Sequence, residues 1–344
     1  MHHFTSDTRH KQMTEFSVIS STLSPTDIAT FIREKYSLTP HTTCKLLKTG
    51  INHTYCINSE KETFIFRVYS YNWRTEEEIT EELNLLKLLK QNDISISYPI
   101  ADSSENFIQT INAPEGLRFA VLFSYAPGHK IHSYNKEAHF EIGKLMAQIH
   151  SLTKGLEQKR ITYTPDTLLN QSLEDIRQFL SDETDEMQFL ITTKPLLEKE
   201  LLDADNHLLR KGTVHLDIWF DNLSISDENK ITLFDFDFCG NGWLCLDIAY
   251  YILQLHSIEK DEIERTEKKE AFYSGYETIE KINDEERRLI PTLGVCLYYF
   301  YLGVQCRRFD NWSNSFLNEV YLKRFITVLI KNYYETTQRD KNCA

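Results

Sequence analysis

Val214-His215-Leu216-Asp217-Ile218-Trp219-Phe220-Asp221-Asn222 sets a His, an Asp and an Asn at H-x-D-x-x-x-x-N spacing, and Phe234-Asp235-Phe236-Asp237-Phe238 follows a short stretch later. The residues between them read as a hairpin. Leu223-Ser224-Ile225 alternates, Ser226 to Lys230 carries turn chemistry, and Ile231-Thr232-Leu233-Phe234 alternates again. Pairing Ile225 with Ile231 sets Asn222 nearly opposite Phe234 and next to Asp235. Facing residues of two strands lie about 5 Å apart, so an amide oxygen and a carboxylate arrive where one hard cation can bridge them. Magnesium suits such a pair, because it takes one or two protein carboxylates together with water and substrate phosphates. Asp217, on the loop before Asn222, has no need to be a metal ligand and is placed to accept a proton from a hydroxyl that attacks a phosphate. Phosphoryl transfer asks little more of a protein than positioning and electrostatic stabilisation.

These two segments resemble the catalytic loop and metal-binding segment of the kinase superfold. The closest likeness is to the group of aminoglycoside phosphotransferases, choline kinase and homoserine kinase type II. The resemblance implies a two-lobed α+β fold, an antiparallel sheet lobe joined to a mostly helical lobe, with ATP and magnesium between them. It implies Asp217 as catalytic base, His215 as a support of the same loop, and Asn222 and Asp235 as the metal ligands. Asp237 is a weaker second acid, a helper or a structural group. One residue departs from the pattern: the small-molecule enzymes usually have Gly after the His and protein kinases have Arg, whereas this chain has Leu216. The H-x-D-x-x-x-x-N spacing alone is a weak signal, with an exposed loop around a buried, capped Asp as its bland alternative. The D-F-D one hairpin later makes coincidence far less credible.

Other segments must position these groups. The strand-like Thr63-Phe64-Ile65-Phe66-Arg67-Val68-Tyr69 carries a charge among apolar residues, where an unpaired cation is expensive. A partner is available in Glu76 to Lys90, a helical stripe of Ile79, Leu83 and Leu86 with Glu82 on the same face. The family likeness gives Arg67 the nucleotide phosphates and Glu82 as its ion-pair partner. Thr49-Gly50-Ile51-Asn52-His53 bends between two strands; the resemblance makes it the nucleotide-binding loop, with Gly50 and Asn52 as contacts, although a single Gly is also an ordinary hairpin turn. Strands expected at Ile94 to Pro99, Asn106 to Ile111 and Leu117 to Tyr125 continue the sheet. The last runs into Ala126-Pro127-Gly128, a boundary signal that the resemblance makes the adenine-binding hinge, with Ser124 and Ala126 as candidate contacts.

Helical patterns then dominate. Ser24-Pro25-Thr26-Asp27 starts an earlier one, and later ones are expected at 139–150, 168–180, 194–209, 243–255, 262–276, 284–304 and 317–334. Ser181 to Glu186 reads as a solvated link, Cys239 to Gly242 as a flexible bend, and His150 as a satisfied structural residue. Asp247, by the resemblance, braces the catalytic loop. This organisation divides the chain into a mobile tail at 1–22, a nucleotide-binding lobe at 23–125 and a helical lobe with the acceptor site at 126–344. Residues 130–134 and 298–312 are candidates for the acceptor border, with Arg307 and Arg308 as ligands for an acceptor carboxylate.

Composition sets outer limits. A net charge of -13 argues against nucleic acid, which asks for a basic stripe. Seven scattered cysteines form no zinc pattern and read as reduced thiols of a cytoplasmic protein. The longest apolar run, Leu293 to Val304, is too short to span a membrane and reads as a buried helix. The sequence therefore points to an ATP- and magnesium-dependent kinase of a small-molecule hydroxyl: an amino acid, an amino alcohol or an aminoglycoside-like acceptor. The alternatives are a stress-response-type bacterial protein kinase and a nucleotide-binding scaffold that has lost catalysis.

Overall fold

The computed structural model describes residues 16–130, 134–226 and 230–343. Residues 1–15 of the expected tail, the tip of the catalytic hairpin and residues 131–133 of the expected acceptor border lie outside them. The sheet lobe begins with α1 (Pro25–Lys35), started by the Ser24 side chain, which accepts the Asp27 N–H at 3.4 Å. There follow β1 (Thr43–Lys48), β2 (Asn52–Asn58), β3 (Thr63–Tyr69), α2 (Glu76–Gln91), β4 (Pro99–Ile100), β5 (Ile108–Ala113) and β6 (Gly116–Ser124). All pairings are antiparallel, in the order β1-β2-β3-β6-β4, with β5 also on β6. Alternation along β2 and β3 sends Tyr55, Ile57, Phe66 and Val68 to one face, where Ile28 and Ile32 of α1 cover them in a small separate core. The other face receives α2, capped by a reciprocal pair in which Thr75 and Glu78 each take the other's backbone N–H.

The helical lobe comprises α3 (Lys136–Thr153), α4 (Gln171–Arg177), α5 (Asp185–Leu202), β7 (Lys211–Val214), β8 (Leu223–Ile225), β9 (Ile231–Leu233), β10 (Gly240–Trp243), α6 (Cys245–Ile258), α7 (Glu262–Tyr276), α8 (Asp284–Arg307), α9 (Glu319–Arg324) and α10 (Asn332–Cys343), with π-helical turns at Asp166–Asn170 and Phe325–Lys331. The apolar run expected as a buried helix is the C-terminal half of α8. Its span is long and apolar enough to cross a membrane, but 83% of that window is buried against the rest of the fold, which is what a core helix requires. Helices α3 and α7 approach so closely that a Cβ on Gly143 would run into the Phe272 carbonyl, and one on Gly275 into that of Phe140. The six described cysteines are all unpaired.

Three expectations need correction. Ile94 to Ser97 is not a strand of the main sheet, where only Pro99–Ile100 pair. Its backbone bonds to the catalytic hairpin instead, Ser97 N–H to Leu233 O at 2.9 Å and Leu233 N–H to Ser95 O at 3.0 Å. Cys239 to Gly242 is not a free bend, since Gly240 to Trp243 form β10 opposite β7; a Cβ on Gly240 would meet the Ile161 carbonyl at 2.6 Å. The expected helix at 194–209 runs instead from Asp185 to Leu202, because Thr184 caps it through the Met187 N–H at 3.3 Å and draws part of the acidic link into its first turn.

Candidate active site

β7 delivers the chain to His215, and α6 holds the loop that follows. The buried Asp247 carboxylate accepts the backbone N–H groups of His215 at 2.9 Å and Leu216 at 2.6 Å. It also lies 3.0 Å from His150 Nε2, whose other ring nitrogen meets the Tyr276 hydroxyl at 2.7 Å. His150 is thus a structural residue, one link behind the loop. His215 Nδ1 accepts the Asp217 N–H at 3.0 Å, which leaves Nε2 protonated to donate to Phe234 O at 3.3 Å. Burial lowers its pKa, so the ring is neutral. Leu216, where a Gly is usual, has φ of 63°, the left-handed region that favours glycine. The Tyr301 hydroxyl donates to its carbonyl.

Asp217 is held from two sides. Its Oδ2 accepts Asn222 Nδ2 at 2.7 Å and its Oδ1 accepts the Tyr250 hydroxyl at 2.6 Å. Burial, then the nearby charge of Asp235, pushes its pKa up to about 8, while the two hydrogen bonds pull the other way. The hairpin has the expected register: Ile225 faces Ile231, Leu223 faces Leu233, and Phe234 N–H donates to Asn222 O at 3.0 Å. Asn222 spends its amide hydrogens on Asp217, which leaves Oδ1 as a ligand atom. Asp235, also left-handed at φ 66°, places Oδ1 3.0 Å from Arg67 Nη2.

Arg67 forks between two acids. Its Nη1 lies 2.9 Å from Glu82 Oε1, as the helical stripe implied, while Glu82 Oε2 accepts the Tyr69 hydroxyl at 3.0 Å. Asp237 is bound into the sheet lobe: Trp73 Nε1 donates to it at 2.6 Å, Asn52 Nδ2 at 3.0 Å and Arg74 Nε at 3.0 Å. Burial alone would raise its pKa, but Arg74, then Arg67 and Arg160, outweigh that and hold it down to about 2. Asp237 is a structural anchor.

Two cavities, of 460 and 390 Å³, share Lys48, Thr54, Arg67, Asn222 and Asp235 and so form one cleft. One end is an apolar slot lined by Ile65, Leu86, Phe123, Tyr125, Ala126 and Phe236. The other end holds Asp217 among Trp219, Tyr250, Tyr298, Tyr301 and Trp312. Gly50 and Asn52 line the cleft, but the Asn52 amide is committed to Asp237 and, through Oδ1, to the Ser70 N–H at 3.3 Å. A Cβ on Gly50 would find only ordinary contacts, the nearest at 3.6 Å. Ser124 does not line the slot: its N–H donates to Tyr98 O at 2.8 Å, its carbonyl accepts Ser97 Oγ at 2.6 Å and its hydroxyl accepts the Tyr98 N–H at 3.0 Å. Ala126 lines it, with Tyr125. Arg307 does not reach the acceptor end, being paired with Asp175 at 2.6 Å, and Arg308 borders a different cavity.

Tyr250 escaped the sequence reading, and Tyr301 was covered only as part of the 298–312 border segment. Tyr250 stands three residues after Asp247 on α6, so the helical period was a usable signal. Arg160 arrives from a distant segment, and nothing local marks it or singles out Tyr301 within its border segment.

Sheet lobe, helical lobe and a cleft that ends at two acids and an amide together define a protein-kinase-like phosphotransferase. More particularly, the chain belongs to the phosphotransferase enzyme family, whose pattern matches residues 43–282. It is 28% identical to an uncharacterised protein of Synechocystis over 90% of this chain and 85% of that one. A homoserine kinase of Sinorhizobium medicae is 24% identical over 77% of this chain and 79% of its own. An amicoumacin kinase solved with AMP-PNP and Ca2+ superposes with a TM-score of 0.74 at 20% identity, over 90% of this chain and 94% of that one. The chain is therefore a kinase with an alcohol group as acceptor, using ATP and a divalent cation. Its donor set fits the cation: Asn222 Oδ1 and the Asp235 carboxylate are hard oxygens that open on the cleft, too few for a closed cage and suited to a metal shared with phosphates.

Proposed function

We propose that this kinase phosphorylates a small neutral or cationic alcohol, an amino alcohol or aminoglycoside-like molecule, and not an α-amino acid. The observation that carries this reading is the lining of the acceptor end. Asp217 and Asp221 stand there with Trp219, Tyr298, Trp312 and Phe316, whereas the cations of the same cavity, Lys48 and Arg67, both come from the sheet lobe. An ammonium gains from the acids and from the ring faces. Asp221 already has Lys130 at 3.9 Å, so a free carboxylate would meet Asp217 with no cation of the helical lobe among the described residues that line this end, since Arg307 is engaged with Asp175. This departs from the homoserine reading that Arg307 and Arg308 suggested.

In this scheme residues 23–125 form the nucleotide lobe and 126–344 the acceptor lobe of a cytoplasmic enzyme. Adenine occupies the apolar slot beside Tyr125 and Ala126. Arg67 uses two of its five N–H groups on Glu82 and Asp235 and has others for phosphate oxygens. Asn222 and Asp235 hold the magnesium, which when bound neutralises charge on the phosphates. Asp217 takes the proton of the acceptor hydroxyl; Tyr250 and Asn222 fix its rotamer so that the lone pairs face the cleft. His215 positions the loop.

The test is magnesium-dependent ADP release with homoserine, choline, ethanolamine, hydroxylysine, an aminoglycoside, a sugar and a generic protein, with Asp217→Ala as control. Stimulation by an amino alcohol or aminoglycoside, absent in the control, supports the reading. Preference for homoserine would overturn the acceptor class, and phosphate incorporated into protein would favour the protein-kinase alternative.

A further inference from the structure

Arg308, the residue that ends α8, is only 8% exposed, and its Nε and Nη2 have no hydrogen-bond partner. Its guanidinium lies 4.7 Å from the Trp73 ring, which also carries Arg74 at 4.3 Å. Stacking on an indole offsets part of the desolvation of a cation but supplies no acceptor for its N–H groups. Burial accordingly lowers the Arg308 pKa to about 10, with only a partial offset from the charge of Asp237. An arginine left this way inside a protein is costly unless an anion completes it.

The space for an anion is beside it. A cavity of 380 Å³ is bordered by Asn72, Trp73, Arg74, Tyr163, Arg307 and Arg308 together with apolar residues, and no carboxylate is among the described residues that line it. Two of its three arginines have partners: Arg74 is held by Asp237 and Glu78, and Arg307 by Asp175. Arg308 is the one with N–H groups to give. Asn72 adds a carboxamide at the rim, and the Tyr163 hydroxyl is occupied by Phe238 O at 2.5 Å. The cavity adjoins the acceptor end of the cleft through Phe238 and Val304, which line both, but neither Asp217 nor Asp235 borders it.

We propose that this cavity between Trp73 and Arg308 is a second ligand site, which takes a small molecule bearing a phosphate or carboxylate group against the Arg308 guanidinium. The inference does not depend on the identity of the acceptor. Trp73 ties the site to the catalytic lobe contacts, because its Nε1 is one of the donors that fix Asp237.

The test uses the full-length protein saturated with ADP and magnesium, so that the nucleotide site is already filled. Inorganic phosphate and citrate are titrated calorimetrically at matched ionic strength into wild type, Arg308→Met and Arg308→Lys. The expected result is one site per chain in the wild type, with affinity for at least one probe falling tenfold or more in Arg308→Met and partly restored in Arg308→Lys. Phosphate binding alone marks a phosphoryl ligand and citrate alone a carboxylate one. Thermal unfolding gives an independent readout: Arg308→Met, relieved of an uncompensated charge, melts higher than wild type in chloride, and the saturating probe raises the melting temperature of wild type but not of the variant. Absence of binding to wild type, or equal binding to Arg308→Met, overturns the proposal.

Discussion

Arg67 and Glu82 form the contact on which the nucleotide side of the cleft is built, and a double-mutant cycle measures it. Arg67→Met keeps most of the apolar stem but removes charge-assisted bonds to Glu82 at 2.9 Å and to Asp235 at 3.0 Å. The two losses are unequal. The Asp235 side chain is 41% exposed, so water takes over and the cost is about 0–1 kcal/mol. The Glu82 side chain is 0% exposed, and removing one partner of a buried pair costs about 3–5 kcal/mol. Tyr69 at 3.0 Å and Arg160 at 3.9 Å remain beside Glu82, which places the loss near the lower end, about 3 kcal/mol. Glu82→Gln alone leaves Arg67 with Asp235 and costs roughly 2–3 kcal/mol. The double variant no longer buries an unpaired carboxylate, so the two effects fall short of additivity by about 2 kcal/mol. Urea unfolding followed by tryptophan fluorescence reads all four corners, provided the denaturant slope is unchanged. Additivity to within about 0.5 kcal/mol would refute the claim that Glu82 is a desolvated partner of Arg67.

Three further perturbations test other parts of the site and its supports. Asp217→Asn should keep magnesium-dependent nucleotide affinity within a few-fold while kcat falls by about 10²–10⁴; a parallel loss of binding contradicts its role as base. At Leu216, where φ is 63°, Ala→Gly should be close to neutral. Relief of the left-handed strain offsets the lost methyl and the added chain entropy, which at an ordinary buried position together cost about 1–2 kcal/mol; a full loss of that size in denaturation of Leu216→Ala against Leu216→Gly contradicts the backbone assignment. Burial holds both His53 and His139 at about 4. The unfolded chain binds their protons from about pH 6.5 downward while the folded chain does not, so their contribution is complete above that pH and is lost as pH falls toward 4. We expect roughly 2 kcal/mol per histidine to disappear between pH 7 and pH 5, and a flatter profile in a His53→Gln, His139→Gln double variant.

What the sequence reveals and what it hides divides along the range of the interactions. The catalytic hairpin was legible because a strand has a period of two, so one correct pairing, Ile225 with Ile231, fixes Asn222 against Phe234. The Arg67 to Glu82 contact was legible because a charge in an apolar strand needs an anion and only one acid of α2 lies on its buried stripe. The boundary of α5 failed where a single capping threonine outranked the acidic composition of the link. The partners of Ile94 to Ser97 were hidden because they lie in the other lobe, and strand propensity does not say which sheet a segment joins. That Ser124 lies off the slot lined by Tyr125 and Ala126 was hidden because its N–H, carbonyl and hydroxyl are spent on Tyr98 and Ser97, a segment distant along the chain.

Leu216 shows how a departure from a motif becomes tolerable. A left-handed backbone costs a residue with a Cβ about 1–3 kcal/mol, which explains why glycine is usual at this position. Here the Leu216 side chain is fully buried, and burying a leucine contributes about 1.5–3 kcal/mol. The backbone is also held from both ends, its N–H by Asp247 and its carbonyl by the Tyr301 hydroxyl. Gain and strain are of the same size, so packing behind the loop does for this chain what conformational freedom does for a glycine. The substitution is therefore no argument against a working catalytic loop, and Asp217 is presented to the cleft as the motif requires.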